Sequence, residues 1–384
     1  MTHRVSLHTT CAPSQVPWPD TDEGRAAHAY FAPLLTHGPT FAAPNLDAEL
    51  GIAIVDGVVV PFTVSREREG QSYIVSPYTH FITYGAEEIE KLEAPSIERP
   101  LRRVVAGLGR AFRRARFDRV VYVDNWLTST TLHALLFDDA WDVLIAALRE
   151  RFPDHAIVVR GVDRRSSGEL RDALEAFGAR FVFSRRVLFQ DPRDALGHRD
   201  GRKDQRLLDR ALTDGSYRVV DLRELDDEGL SRVRDLYDLL YVEKWSRHNP
   251  QLTRAYVIHT IRCGFLEGRA LVSREGSLDG AFAAWVRHGL YYVPILGYDT
   301  RLPQERGLYR MLAALSSADA LARGVLVHDS AGVSDFKQNR GAVPELEHLA
   351  VFDRHLPRHR RAPWRALGAL MDHLGAPLIE HFDL

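Results

Sequence analysis

Gln304-Glu-Arg-Gly-Leu-Tyr-Arg310, together with the run that precedes it, Leu290-Tyr-Tyr-Val-Pro-Ile-Leu-Gly-Tyr-Asp-Thr300, is the stretch on which the fold of this chain turns. The earlier run is rich in aromatic and β-branched residues and reads as a strand. After the glycine, apolar residues fall at Leu308, Met311, Leu312, Leu315, Ala318 and Ala322, the spacing of one helix face. The chain therefore passes from strand through a glycine loop into a helix. Gly307 at such a junction lets backbone approach a ligand, and the N–H groups of the first helical turn suit a phosphate or carboxylate. The competing reading is that Gly307 only relieves packing between helix and sheet.

Upstream, the sequence predicts strands at 269–274, 280–288 and 290–298. Their connectors, Glu275-Gly-Ser-Leu-Asp279 and His288-Gly289, are of hairpin length, so the strands are antiparallel neighbours. Before them come a strand at 217–222, a helix at 227–245 broken by Asn249-Pro250, and a helix at 253–264. After the glycine-loop helix come a strand at 324–329, a polar loop from Ser330 to Gly341, a last strand at 346–352 and a helix at 363–374.

The first half mixes early hairpins with helices. Leu50 to Ser65 reads as two strands joined at Asp56-Gly57, with a third at 72–75. Strands are also expected at 118–127 and 156–160, with a strand pair at 179–191. The helix at 100–116 carries Arg102, Arg103, Arg110, Arg113, Arg114 and Arg116 beside Val104, Val105, Leu108 and Phe112, a face that is either solvated or meets an acidic partner. Residues 192–216 read as a charged linker containing a helix at 204–212.

The chain has 384 residues, which favours two domains. Its 45% hydrophobic and 27% charged content is that of a globular protein, and a net charge of −2 gives no overall field favouring nucleic acid. Cys11 and Cys263 supply neither a disulfide framework nor a metal-binding cluster, so no metal site is expected. With no signal-like N-terminus and no membrane-length apolar run, a cytoplasmic protein without membrane contact is the expectation.

The order in the second half, together with Gln304-x-x-Gly307, Gly297-Tyr298-Asp299, Gly332-Val-x-x-Phe336-Lys337-x-x-Arg340-Gly341 and Glu243-Lys-Trp-x-x-x-Asn249-Pro250, resembles the GNAT superfamily of N-acetyltransferases over residues 217–357. More closely, it looks like the two-domain Fem-type aminoacyltransferases. Leu174-x-x-Phe-Gly178 and Ser184-Arg-Arg-Val187 fit a second, degenerate copy. The resemblance implies an α/β (α+β) fold of two GNAT-like domains, each a mixed, mainly antiparallel sheet flanked by helices, the C-terminal one better formed. The expected layout is an arm at 1–22, a degenerate domain at 23–191, the linker at 192–216, an acyltransferase domain at 217–357 and a C-terminal helix at 358–384.

The implied activity is transfer of an acyl or aminoacyl group to a small-molecule or peptide amine, in a biosynthetic setting, with no tightly bound cofactor. In the superfamily the loop matching Gln304, Arg306, Gly307, Leu308, Tyr309 and Arg310 binds the pyrophosphate of acyl-coenzyme A. Tyr309 stands where a small residue is usual, and Phe336-Lys337 resembles the Fem-type motif, which implies aminoacyl-tRNA. Both donors stay open, and so does a non-catalytic module that binds a carrier or nucleotide-containing ligand.

Lys337 is the leading catalytic candidate, as a cation for phosphate or oxyanion. Attack by an amine also needs a base, for which Asp299 and Glu243 are the candidates, with Tyr298 as a proton donor to the departing group. Trp245, Asn249, Ser330, Phe336 and Arg340 are the expected substrate contacts. The basic run from Arg199 to Arg210 suits a tRNA backbone or a solvated linker helix equally well.

Overall fold

The computed structural model describes residues 3–90 and 95–375. Its elements, in chain order, begin with β1 (Val5–Thr9), α1 (Asp22–His37), β2 (Ala48–Val55), β3 (Val58–Ser65), α2 (Gly85–Glu90), α3 (Pro95–Arg114), β4 (Val120–Val123), α4 (Asp138–Arg151), β5 (Ala156–Val162) and α5 (Arg164–Ala176). They continue with β6 (Arg180–Gln190), α6 (Pro192–Ala195), α7 (Arg199–Thr213), β7 (Tyr217–Asp221), α8 (Asp227–Tyr237), α9 (Arg254–Arg262), β8 (Glu267–Ser273), β9 (Leu278–Arg287) and β10 (Leu290–Tyr298). The last are α10 (Leu308–Arg323), β11 (Leu326–His328), α11 (Ser334–Gln338), β12 (Val343–Phe352) and α12 (Arg358–Leu370).

The chain folds as two compact units. The first holds the described residues up to Arg185, His248–Pro250 and those from Leu346 onward. Its strands run in the order β1-β2-β3-β4-β5-β12, followed by the first half of β6. β1 to β4 are antiparallel neighbours and β5 lies parallel to β4. The β2–β3 hairpin turns at Asp56 and Gly57, both left-handed, as the dipeptide predicts. One face of the sheet packs Trp141, Leu144 and Leu148 of α4, and the other packs Phe112 of α3 and Trp364 of α12.

The second unit repeats the plan as β7-β8-β9-β10-β11, closed by the end of β6, whose Gln190 and Phe189 pair with Val327 and His328. β7 to β10 are antiparallel and β11 is parallel to β10. α10 buries Leu308, Met311 and Leu312 against the sheet together with Leu208 and Ala211 of α7. On the other face α8 crosses β10 at Gly297, where an added Cβ would lie 2.4 Å from the Leu236 carbonyl carbon, so only glycine allows that approach. Mixed α/β units with mostly antiparallel sheets flanked by helices are the fold expected from the sequence, and the order of four antiparallel strands, helix and parallel fifth strand recurs in both.

Several local expectations change. Residues 5–9 of the supposed arm form β1, paired with β2. The supposed strand at 72–75 is a turn, because the Ile74 carbonyl accepts from Asn125 Nδ2 and Arg160 rather than from a ladder. The strand pair at 179–191 is the single strand β6. β4 stops at Val123 because Asp124 turns left-handed, with φ of 55°. The supposed linker is largely helical and belongs to the second unit, whereas most of β12, together with α12, completes the first. Residues 376–384 of the expected C-terminal helix lie outside the described residues.

Candidate functional site

The parallel ladder between β10 and β11 holds only two pairs, Leu290 with Leu326 and Tyr291 with Val327. Just beyond it, β10 bulges between Tyr292 and Ile295 in its pairing with β9. Pro294 sits in that bulge; it has no N–H to give a ladder, and bulges are where strands accommodate proline. The space beside β10 is a cavity of about 110 Å³. Val293 and Leu296 of β10, Val327 and Asp329, Tyr309 and Ala313 of α10, Lys337, Arg340, and Asp204 of α7 all line it.

Lys337 lies on the short helix α11 and is 7% exposed. Its Nζ donates to the Asp329 carbonyl at 2.5 Å and to the Ala331 carbonyl at 3.0 Å. The loop it clamps is strained: Ser330, Gly332 and Val333 all have positive φ, and for a β-branched residue such as Val333 that is an outlier. The loop is also tied to β6, where the Asp329 N–H donates to Leu188 O at 2.8 Å and Leu188 N–H to Ser330 O at 2.9 Å. Burial pushes the Asp329 carboxyl above its usual range, against the pull of the Lys337 ammonium. Sequence reasoning passed over Asp329, because nothing local distinguishes a strand-end aspartate that titrates high from one that does not.

The expected anion cradle is covered by α7. Gly307 has φ of 68°, and a Cβ there would lie 2.5 Å from Leu207 Cδ2. Asp204, 1% exposed, accepts from Arg310 Nε at 2.5 Å and from Arg340 Nε at 2.6 Å. Arg306 reaches Tyr217 Oη at 3.3 Å and Asp279 Oδ2 at 3.4 Å. Gln304 is exposed and Leu308 is core. Tyr309 packs its ring 4.7 Å from Phe336 and 6.0 Å from Tyr298, and burial holds its phenol protonated well above the usual range. The positive charge the loop would offer a pyrophosphate is thus already met by carboxylates, and the approach to Gly307 is closed. These residues do not fit coenzyme A.

Other expected site residues are placed differently. Asp299 accepts from Arg232 at 2.7 Å and from Arg301 at 2.6 and 2.8 Å, which holds it far below the usual carboxylate range and removes it as a base. Arg340 stacks its guanidinium over Phe336, consistent with both lying at the cavity. Glu243 and Trp245 are exposed on the π-helical turn Asp238–Trp245 that extends α8. Asn249 groups with the first unit, where its carbonyl accepts from Asn45 Nδ2 at 2.8 Å. Ser330 donates its N–H to His328 Nδ1 at 3.2 Å.

The turn brings forward another residue the sequence did not flag. Asp238 meets Arg234 at 2.7 Å through one carboxylate oxygen, while the other is buried without a hydrogen-bond partner among the described residues. Burial pushes this carboxyl up to about 6. Wide helical turns of this kind favour functional sites, but hydrophobic spacing reads the same through α and π turns.

No protein-family profile matches the sequence, and no curated protein matches it. Among solved structures, the chain is similar to L-PGS from Bacillus licheniformis at 15% identity, with 60% of this chain and 78% of that one covered and a TM-score of 0.45. FemX is similar at 10% identity, with 55% and 76% covered and a TM-score of 0.41. A tandem GNAT protein from the clavulanic acid biosynthesis pathway is similar at 11% identity, with 91% and 98% covered and a TM-score of 0.39. At these values none of the likenesses assigns a residue or a substrate, and the strand order and the shortened β10–β11 ladder carry the fold reading. Among the described residues no helix is long and apolar enough to cross a membrane.

Proposed function

We propose that the second unit is an acyltransferase that moves an acyl or aminoacyl group from an activated ester to an amine, with the acyl group seated in the cavity beside β10. The observation that carries this reading is Asp329: a carboxyl of raised proton affinity lining a cavity, on a strained loop held by a buried lysine. The amine nitrogen attacks the ester carbonyl and its proton passes to Asp329; the C–N bond forms, the C–O bond to the carrier breaks, and Asp329 returns that proton to the departing oxygen, which leaves as a hydroxyl. Lys337 acts as a positioning residue: by holding the carbonyls of Asp329 and Ala331 it fixes where the Asp329 carboxylate points.

The covered Gly307 loop favours an aminoacyl ester of RNA over a coenzyme A thioester. α7 supports that choice, because its inner face lines the cavity while Arg199, Arg202, Arg206 and Arg210 are exposed outside. The acceptor is a small-molecule or peptide amine. The same covered loop is the specific observation favouring the second reading, a module that binds its ligand without chemistry.

Incubating the protein with charged tRNAs or acetyl-coenzyme A and a panel of amines, followed by mass spectrometry for the amide, separates the readings. Amide formed from charged tRNA, falling roughly 10²- to 10⁴-fold in Asp329→Asn with the circular dichroism unchanged, is the expected result. Full activity in that variant removes Asp329 from the reaction. Ligand binding without amide formation favours the module.

A further inference from the structure

The arginines of α3 take no part in the site above, and they sort into two groups. Arg102 meets Glu90 at 3.0 Å and Glu98 at 3.3 Å, and Arg113 meets Glu69 at 3.0 Å. Arg99, Arg103, Arg110 and Arg114 are exposed and form no ion pair among the described residues. At 3.6 residues per turn these four fall within about 60° of one another around the helix, so they make one straight row about 22 Å long. Within the row, Arg99 to Arg103 and Arg110 to Arg114 each advance about 6 Å, a step comparable to successive phosphates on one nucleic-acid strand. Ala106 and Gly107, between the two pairs, leave the middle of the row open to a bulky backbone.

We propose that this row on α3 is a contact surface for the phosphate backbone of RNA. A helix that lies on lipid needs a broad exposed apolar face, and most of that of α3 is spent: Phe112 is 1% exposed, Val105 and Leu108 pack against the same core, and Val104 stands exposed by itself. A row of charge is left that is uncompensated among the described residues, and it complements a linear polyanion. The proposal rests on the reading of the donor as an RNA ester and adds a place, in the first unit, where the RNA is held.

The test measures binding of bulk uncharged tRNA by fluorescence anisotropy over a salt series. It compares wild type, the variant R99Q/R103Q/R110Q/R114Q, and a control of equal charge change, R25Q/R164Q/R218Q/R223Q. All eight positions are exposed, so folding is preserved. The α3 variant is expected to lose tenfold or more in affinity, with the log–log salt slope shallower by about 3, while the control stays within about twofold. An α3 variant within twofold of wild type, or a control that loses as much, overturns the proposal. So does an α3 variant that keeps RNA affinity but no longer floats with phosphatidylglycerol vesicles that wild type binds.

Binding of uncharged tRNA reads the α3 surface and amide formation reads Asp329, so the two measurements separate this claim from the catalytic one. RNA binding lost in the α3 variant, in a protein that forms no amide, retains the surface and removes the enzyme. Amide formation with an unchanged KM for charged tRNA in the α3 variant does the reverse.

Discussion

The two units put one strand plan to different uses. In the first, the parallel ladder runs the whole length of β4, from Val120 with Ala156 to Val123 with Val159, and every residue of both strands is buried. Polar groups beyond it are consumed internally: Asp124, 0% exposed, accepts from Trp126 Nε1 and from the Ala134 N–H. In the second, the ladder stops after two pairs, β10 bulges at Pro294, and the space beside it holds a carboxyl that titrates high. Where the parallel ladder ends decides whether the space beside the central strands is core or cavity.

The largest effect expected from breaking this comparison comes from filling the cavity. Ala313→Phe places a ring where the acyl group would sit, and amide formation is expected to fall at least 100-fold, a loss of about 3 kcal/mol of transition-state stabilisation. A steady-state assay checks it. Next, Asp204→Ala strips both Arg310 and Arg340 of their buried carboxylate, which is expected to cost about 3 to 5 kcal/mol by urea unfolding.

The third effect belongs to the closed unit. His80 is pushed down to about 4, first by burial and then by Arg160 and Arg185. An unfolded imidazole takes its proton near 6.5, so stability fully present above that pH is lost as pH falls from 6.5 toward 4. The loss is up to about 3 kcal/mol before solvent screening, and in His80→Gln the pH dependence of unfolding should flatten by that amount. The smallest is Gly307→Ala. The Leu207 contact can yield because it is the end of a flexible side chain, leaving the left-handed backbone to cost about 1 kcal/mol in a melting experiment.

What was legible in the sequence was local. The antiparallel run β8 to β10 follows from Gly276 and Gly289 at its turns, and α10 from the spacing that begins at Leu308. Lys337, Phe336, Tyr309 and Arg340 were picked out in sequence and do meet at one cavity. What was not legible depends on partners far along the chain. A strand does not carry the name of its neighbour, so the sequence places β12 in the C-terminal domain although it pairs with β5 of the first unit. α7 read as a linker because charges of both signs dominate it, yet Asp204, Leu208 and Ala211 lie on one helical face, and that face is the buried one. Asp299 looked like a base at a strand end until Arg232 and Arg301 were seen to hold it ionised.

The most direct test is the pH dependence of kcat for amide formation in wild type and Asp329→Asn. Wild-type rate should rise along a single limb whose midpoint lies above the ordinary aspartate range near 4, and Asp329→Asn should lose that limb along with most of the rate. The same limb persisting in Asp329→Asn would contradict the account and place the base elsewhere.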